Sequence, residues 1–339
     1  MIEKNDTMRH LIEMAIHYGR KRKSPQTGYL HYCYGLPEQE PHLPIPLLEN
    51  FLYALALLRS RLVENVHEAK TLLEGLLHFQ DKAEGITQGN FPIYLHEFPL
   101  CKDRFKGIHV ASVIVWILKL FHQILGSELR QRLQQALLLA VQHAMRAHDE
   151  KAPPYVVSVK IASVAIAAGR ILNLPLMEAH GNAMLDRLCL SRDPSTWYCP
   201  ESLGELLTAL VMVYPRLSES PWSPLWKHVE ETWNPQMACY VGPALREWQD
   251  GKEPQTTVYD LFLGYVSGSF SSRMSKEAPV HLEAVLIPPM DDRFQPVTFP
   301  ALFTGKFQGA AWHLYQDEGF AYSYIDQGSL EINTIHATG

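Results

Sequence analysis

The sequence lacks the short motifs that mark the commonest catalytic and nucleotide-binding sites. It contains no glycine-rich phosphate loop and no nucleophile elbow, and the His-Glu pair at residues 96–97 is not followed by the second histidine that a zinc protease requires. We therefore expect neither a metal site nor a cofactor.

A disulfide framework and a zinc ribbon are also not indicated. The five cysteines are far apart in the sequence and form no C-x-x-C pair: Cys33, Cys101, Cys189, Cys199 and Cys239. This pattern favours buried or unreactive free thiols in a reducing compartment.

An excess of positive charge is missing, which argues against nucleic acid as a partner. The 339 residues include 30 lysines and arginines against 36 aspartates and glutamates, which gives a formal net charge of −6 at pH 7. Such a chain has no overall positive field to attract phosphate groups. The basic cluster at residues 20–23 follows an amphipathic segment, and we interpret it as the solvated end of a helix.

Long hydrophobic runs are absent as well. Residues 1–23 mix charges of both signs and lack the apolar middle of a secretion signal. The most apolar run, residues 108–121, is too short to span a bilayer and contains His109 and Lys119, so we expect a buried core helix there. These features favour a cytoplasmic protein without a membrane partner.

What the sequence does contain is a long series of helical patterns. Apolar residues recur with the helical period and predict helices at 6–22, 45–60, 66–79, 107–124, 127–148, 156–171, 176–189, 201–213, 222–233 and 256–270. Very apolar helices alternate with amphipathic ones in pairs of about 45–50 residues, without a repeat of fixed length. We therefore predict one domain over residues 1–270, an (α/α) toroid of helical hairpins, in preference to a regular solenoid.

After about residue 271 the pattern changes to period two. Five β-branched or aromatic runs predict antiparallel strands at 281–289, 295–303, 309–317, 319–326 and 329–337. We predict a second, small domain over residues 271–339, whose sheet needs the helical body to cover its apolar face. This domain is either a short C-terminal sheet or part of a β-sandwich.

A helical toroid followed by an antiparallel β domain is the layout of the heparinase II/III-like and alginate-lyase-like polysaccharide lyases, which this chain resembles. Residues 240–264, YVGPALREWQDGKEPQTTVYDLFLG, are also similar to a Gly-Pro-x-x-Arg segment of uncharacterised proteins with a toroid and a sandwich. The resemblance implies β-elimination on an acidic, uronate-containing polysaccharide. It also implies that an Asn, His or Arg neutralises the uronate carboxylate and a Tyr or His moves the proton, so that Asn90 would correspond to the neutralising residue.

Three long connections are predicted at the mouth of the toroid, at residues 80–106, 191–202 and 234–255. Connections of this length are usually functional or disordered, and their aromatic residues argue against disorder. They are therefore the places where we expect the functional side chains.

In the first connection, Tyr94 and His96 are candidates for acid–base catalysis, and Glu97, with Asn90, for substrate contact. Proton abstraction next to a carboxylate needs a base near neutral pKa and a group that neutralises the carboxylate. The alternative is that Tyr94 and His96 only anchor a long loop on the helices, with Glu97 in solvent.

In the third connection, Arg246 beside Trp248 is suited to a sugar carboxylate, because a guanidinium offers two parallel donors and an aromatic ring stacks on a pyranose. Tyr240 is a further candidate for proton transfer, and Trp197 and Tyr198 in the second connection for a sugar-stacking platform. The alternatives are an internal arginine–carboxylate pair and an aromatic plug of the ring.

The leading hypothesis is thus a carbohydrate-active, polysaccharide-lyase-like protein whose partner is an acidic oligo- or polysaccharide. A glycoside hydrolase on the same toroid is an alternative, with Glu97, Asp103, Asp250 and Asp260 as the available carboxylates. A second alternative is a non-catalytic module that binds sugars or proteins. The sequence indicates no oligomeric state.

Overall fold

The structure is a computed structural model, and it describes most of the chain. The described residues are 2–31, 44–191, 193–243, 256–269, 280–290, 294–307, 310–326 and 330–337. Across them the protein is mainly helical, with a small antiparallel sheet near the C-terminus. This confirms the predicted mainly helical class and the change from helices to strands along the chain.

The long helices begin and end within a few residues of their predicted positions. In chain order the helices are α1 (Ile2–Arg22), α2 (Leu47–Ser60), α3 (Val63–Leu76), α4 (Lys106–Phe121), α5 (Ser127–Glu150), α6 (Tyr155–Leu172), α7 (Pro175–Ser191), α8 (Pro194–Trp197), α9 (Pro200–Leu210), α10 (Ser223–Thr232), α11 (Val258–Ser267) and α12 (Val280–Glu283). Short 3₁₀ turns lie at Leu77–Phe79, Leu95–Glu97 and Ala284–Leu286.

The strands form two separate sheets. A two-stranded antiparallel pair consists of β1 (Trp233–Asn234) and β2 (Cys239–Tyr240). The four-stranded sheet consists of β3 (Ala301–Phe307), β4 (Ala310–Gln316), β5 (Phe320–Asp326) and β6 (Leu330–Ala337), in that order and each antiparallel to the next. The last three predicted strands are therefore confirmed. The described residues contain no second C-terminal sheet that would complete a sandwich.

The first predicted strand, residues 281–289, is wrong. Residues 280–286 form α12 and the 3₁₀ turn after it, and the buried positions 281, 282, 284 and 285 within them follow the helical period. Arg59 at the end of α2 donates hydrogen bonds from Nη1 to the carbonyls of Val285 and Ile287, at 2.5 and 2.8 Å. The sequence pattern of this segment fits either a strand or a helix, and its contacts with α2 stabilise the observed helical form.

The second predicted strand is only half correct. Residues 295–300 lie outside any strand, and β3 begins at Ala301. Pro296 and Pro300 carry no N–H, so they cannot donate to a ladder and they disfavour a strand over this part.

The chain divides into two compact units. The N-terminal unit comprises Arg9–Leu188 and His281–Ile287, and the C-terminal unit comprises Met1–Met8, Cys189–Val280 and Pro288–Gly339. The predicted boundary between residues 270 and 271 falls outside the described residues, so that division stays a prediction.

The core of the N-terminal unit is built on three very apolar helices, α2, α4 and α6. α2 packs against α3 and α4, and α4 packs against α5 and α6. Residues 107–118 of α4 are all buried except His109, whereas α3 and α5 bury a single face each. The predicted alternation of very apolar and amphipathic helices is confirmed in this unit.

Among the described helices, α6 is the one long and apolar enough to cross a membrane, with a mean hydropathy of 1.6 over Tyr155–Leu172. Of that stretch, 67% is buried within the protein. Its composition therefore also fits a place in the helical core, between apolar neighbours.

The core of the C-terminal unit lies on one face of the four-stranded sheet. Its buried cluster consists of Tyr198, Val241, Trp312, Leu314, Ala321 and Ile325. The strand members alternate with less buried neighbours along β4 and β5, as a half-buried sheet requires. Because Tyr198 and Val241 come from outside the sheet, segments that precede the sheet in this unit complete the core.

Candidate functional site

The first connection, residues 80–106, is a loop that is fastened at its base by Asp81. The buried Asp81 carboxylate accepts hydrogen bonds from the Ala83 N–H at 3.0 Å and the Thr87 hydroxyl at 2.7 Å. The Asp81 backbone N–H donates to the carbonyl of Asn90, and its carbonyl accepts from the N–H of Gly89. The first part of the loop is therefore a closed lobe with a defined shape.

Asn90 joins this lobe to the start of α4. Its side chain is fully buried; Nδ2 donates to the carbonyl of Asp103 at 2.7 Å, and Oδ1 accepts from the N–H of Gly107 at 3.1 Å. A Cβ on Gly107 would lie 2.6 Å from that Oδ1, so a glycine is needed there. The residue proposed to neutralise a uronate carboxylate thus lies inside the loop, where it positions the chain.

Tyr94 and His96 lie together at the 3₁₀ turn Leu95–Glu97. Their rings stack nearly parallel, with centroids 5.7 Å apart and an angle of 8° between planes. Tyr94 is half-buried and His96 is exposed, so both rings are accessible. Glu97 accepts a hydrogen bond at Oε2 from the N–H of Ile93 at 3.2 Å, and its carboxylate therefore stabilises the turn.

This turn is attached to the N-terminal end of α2. The N–H of Leu47, the first residue of α2, donates to the carbonyl of Ile93 at 2.9 Å, and the N–H of Leu95 donates to the carbonyl of Ile45 at 3.0 Å. Pro46 and Tyr94 face each other between these two bonds as an antiparallel bridge. The two stacked rings are consequently held where α2 begins.

The end of the loop caps α4. Oδ1 of Asp103 accepts hydrogen bonds from the N–H groups of Phe105 at 2.8 Å and Lys106 at 2.9 Å, which satisfies donors that the first helical turn leaves unpaired. Arg104 forms an ion pair with Glu150 at the end of α5. These contacts fix Lys106 at the first position of α4.

Glu49 and Lys106 bring opposite charges to the starts of α2 and α4. Burial raises the pKa of the Glu49 carboxyl, and the positive charge of Lys106 opposes this shift. A carboxyl group whose pKa is raised is suited to act as a general acid. Glu49 was not among the predicted site residues.

A second unpredicted pair joins α4 and α6. Nζ of Lys160 lies 2.9 Å from Nδ1 of His109. Lys160 is only 6% exposed, and its neighbours Val159 and Ile161 are fully buried. Lysine is rarely buried to this extent, because removing an ammonium group from water is costly unless a partner receives its hydrogen bonds.

These groups gather at the end of the N-terminal unit where α2, α4 and α6 begin. Glu49 interacts with Lys106 in the first turns of α2 and α4, and His109 meets Lys160 within the first two turns of α4 and α6. The first turns of the three helices therefore lie close together. Each helix N-terminus carries roughly half a positive charge, which adds to the lysine charges and favours an anionic ligand.

The second connection is shorter than predicted, because α8 and the start of α9 occupy most of residues 191–202. Tyr198 is buried and packs edge-on against His228 at 5.3 Å and Trp312 at 6.0 Å. Trp197 is partly buried, and its carbonyl accepts a hydrogen bond from Nε2 of His228 at 3.0 Å. These contacts fit the aromatic plug better than the sugar-stacking platform.

The described part of the third connection also favours a structural role. Tyr240 is buried in β2, its hydroxyl donates to the carbonyl of Pro243 at 3.0 Å, and its ring packs edge-on against Tyr259 at 5.8 Å. Arg246 and Trp248 lie outside the described residues. Their suggested role in binding a sugar carboxylate stays a prediction.

The signal that could have revealed Glu49, His109 and Lys160 was present in the sequence. Each is an ionisable residue near the start of a very apolar helix, as in VSVKIASVAIAAGRIL around Lys160. Such a residue is tolerated only where a partner or a function compensates for its burial.

No group of three or more His, Cys, Asp or Glu side chains that could hold a metal ion occurs within the described residues. Comparison with protein-family models and with curated proteins finds no match to this chain.

Proposed function

We propose that the protein binds an acidic carbohydrate at the end of the N-terminal unit where α2, α4 and α6 begin, and cleaves it by β-elimination. The observation that carries this proposal is the pair of accessible, stacked rings of Tyr94 and His96 at the start of α2. Acid–base groups held beside cations and helix N-termini are what elimination next to a carboxylate requires.

Lys106 takes the role of the group that neutralises the uronate carboxylate. Negative charge develops on that carboxylate as the neighbouring carbon loses its proton, and a fixed cation stabilises this charge. The amide of Asn90 already bonds to Asp103 and Gly107, so Lys106, at the first position of α4, is the better candidate.

In the proposed reaction, His96 removes the proton next to the carboxylate, and the Tyr94 hydroxyl donates a proton to the departing glycosidic oxygen. A carbon–carbon double bond forms as the carbon–oxygen bond breaks. We assign no part of this step to Tyr240, whose hydroxyl is buried and donates a hydrogen bond to the carbonyl of Pro243.

The three predicted carboxylates that lie within the described residues support elimination over glycoside hydrolysis. A hydrolase needs two carboxyl groups on either side of the scissile bond. Glu97 and Asp103 accept hydrogen bonds from backbone N–H groups of their own loop, and Asp260 does so as part of the capping box of α11. Their observed contacts therefore assign them to turns and caps.

We also propose that the helical hairpins close as an (α/α) toroid with α2, α4 and α6 among its inner helices. The support is the burial of these helices on nearly all sides and the closeness of their first turns, while α3 and α5 bury one face each. In such a ring the starts of the inner helices share one mouth.

A screen of uronate polymers tests the proposal. Ultraviolet absorbance of an unsaturated product should appear with at least one polymer, together with new reducing ends. Tyr94→Phe and His96→Ala should lower kcat by about 10²–10⁴-fold with little change in binding, because acid–base groups contribute that much. Lys106→Ala should weaken binding about 10–100-fold through the lost charged contact.

Lys102→Ala in the same loop and His180→Ala on α7 are matched controls, since both side chains are exposed. These variants should keep the wild-type rate. Reducing ends without the absorbance would replace elimination by hydrolysis. Binding without turnover would favour the non-catalytic alternative, and the absence of both would refute the proposal.

A further inference from the structure

The Lys160–His109 pair is a reactive arrangement that the proposed elimination does not use. Nζ and Nδ1 lie 2.9 Å apart, on α6 and α4. Lys160 is 6% exposed, whereas His109 is only partly buried, so the pair meets solvent on the histidine side.

The 2.9 Å distance allows one proton to be shared between the two nitrogens. When Lys160 is an ammonium group it has only donors, so Nδ1 of a neutral His109 accepts, and the imidazole carries its own proton on Nε2. Transfer of one proton from Nζ to Nδ1 would leave a neutral amine beside an imidazolium. The total charge of the pair does not change, so its apolar surroundings do not oppose this step as they oppose a new buried charge.

The pair also lies within very apolar stretches of α4 and α6. Val159 and Ile161 beside Lys160, and Ile108 and Val110 beside His109, are all fully buried. A lysine amine that is removed from water in this way and has a base within hydrogen-bond distance is an activated nucleophile for carbonyl groups.

We propose that Lys160 forms an imine with small carbonyl compounds that carry a carboxylate, such as aldehyde acids and keto acids. His109 takes a proton from Lys160, and the free amine attacks the carbonyl carbon to form a carbinolamine. The imidazolium returns its proton to the departing hydroxyl, which leaves as water. A protonated C=N bond replaces C=O, and His109 is neutral again.

The preference for a carboxylate follows from the start of α4. Lys106 lies three residues before His109 and hence on the same side of the helix. Its ammonium group and the helix N-terminus attract an anion to the partly exposed side of the pair. A neutral aldehyde is not attracted by these charges, so we expect it to bind more weakly.

Borohydride trapping tests the inference on the intact, full-length protein. Wild type is incubated with glyoxylate, reduced with cyanoborohydride, digested and mapped by mass spectrometry. Lys160 should be modified about 10²-fold faster than the exposed Lys102, which is the contribution expected of a positioned base. Because the mapping identifies the modified lysine in wild type, this result does not depend on a variant that folds.

Variants and a second probe sharpen the test. His109→Gln should reduce the rate at Lys160 to near that of Lys102, and Lys102→Met should leave it unchanged. Propanal should react more slowly than glyoxylate at Lys160. Modification of Lys160 no faster than of Lys102 in folded wild type would overturn the imine, and equal rates with propanal would overturn the carboxylated substrate class. Neither result requires the protein to cleave a polysaccharide.

Discussion

His228 lies in the core of the C-terminal unit, with its ring packed against those of Trp197, Tyr198 and Trp312. Its Nε2 donates a hydrogen bond to the carbonyl of Trp197 at 3.0 Å. Burial disfavours the charged imidazolium and lowers the pKa of His228 to about 4. A single side chain therefore links the stability of this unit to pH.

The direction of this linkage follows from proton uptake. In the unfolded chain His228 has an ordinary pKa of about 6.5, so between about pH 6.5 and pH 4 the unfolded state binds a proton that the native state does not. The free energy of unfolding should fall by about 3 kcal/mol as the pH falls through this window. Denaturant unfolding at pH 7, 6, 5 and 4 measures it.

His228→Gln removes the titrating group and keeps a side-chain N–H that can bond to Trp197. This variant should lose most of the slope of stability against pH that His228 causes, whatever its absolute stability. His180→Gln, an exposed position on α7, should keep the slope of the wild type. Identical slopes for wild type and His228→Gln would show that His228 is not the responsible group.

At the scale of the element, the loop at residues 80–106 depends on one buried amide. Asn90→Ala leaves the carbonyl of Asp103 and the N–H of Gly107 without their side-chain partner. Stability should fall by about 2–3 kcal/mol, because unsatisfied buried polar groups are costly. Thermal unfolding and limited proteolysis within the loop measure the effect.

Asn182→Ala on α7, whose side chain is not fully buried, is the control and should change neither measurement. The proposed site gives the Asn90 variant a second readout, since loosening the loop also loosens Tyr94, His96 and Lys106. Unchanged melting temperature and unchanged cleavage of the loop in Asn90→Ala would contradict the role of this amide.

The sequence predicts the helices well because their buried, apolar residues recur with the period of the helix itself. α4 and α6 are apolar on nearly every side, and α5 is apolar on one face only, as expected from their sequences. Residues 281–289 were misassigned because their pattern is ambiguous, and the contact of Arg59 with Val285 and Ile287 comes from a distant part of the chain. The pattern of residues 281–289 by itself does not indicate this contact with α2.

The candidate site was only partly predictable for the same reason. Tyr94 and His96 are close in sequence, and their placement on one loop followed from the pattern between two helices. Lys160 and His109 are separated by 51 positions and meet only when α4 packs against α6. A pair of this kind becomes visible with tertiary structure, although the presence of charge in apolar helices indicates where to look.

At the scale of the whole molecule, the C-terminal sheet does not contain its own core. Trp312 and Leu314 pack in a cluster with Tyr198 and Val241, which precede the sheet by many residues, and residues 281–287 belong to the other compact unit. A fragment of residues 271–339 lacks Tyr198 and Val241. A sheet of this size cannot bury enough apolar area without such partners.

We therefore expect the isolated fragment 271–339 to have no cooperative thermal transition, whereas the full chain unfolds cooperatively. Far-UV circular dichroism against temperature, recorded for both proteins in one buffer, makes the comparison. Trp312→Ala in the full chain should destabilise the protein by about 3–5 kcal/mol, because the indole is buried within this shared cluster. A fragment that melts cooperatively, or a Trp312→Ala protein as stable as wild type, would show that the sheet folds without the helical part of its unit.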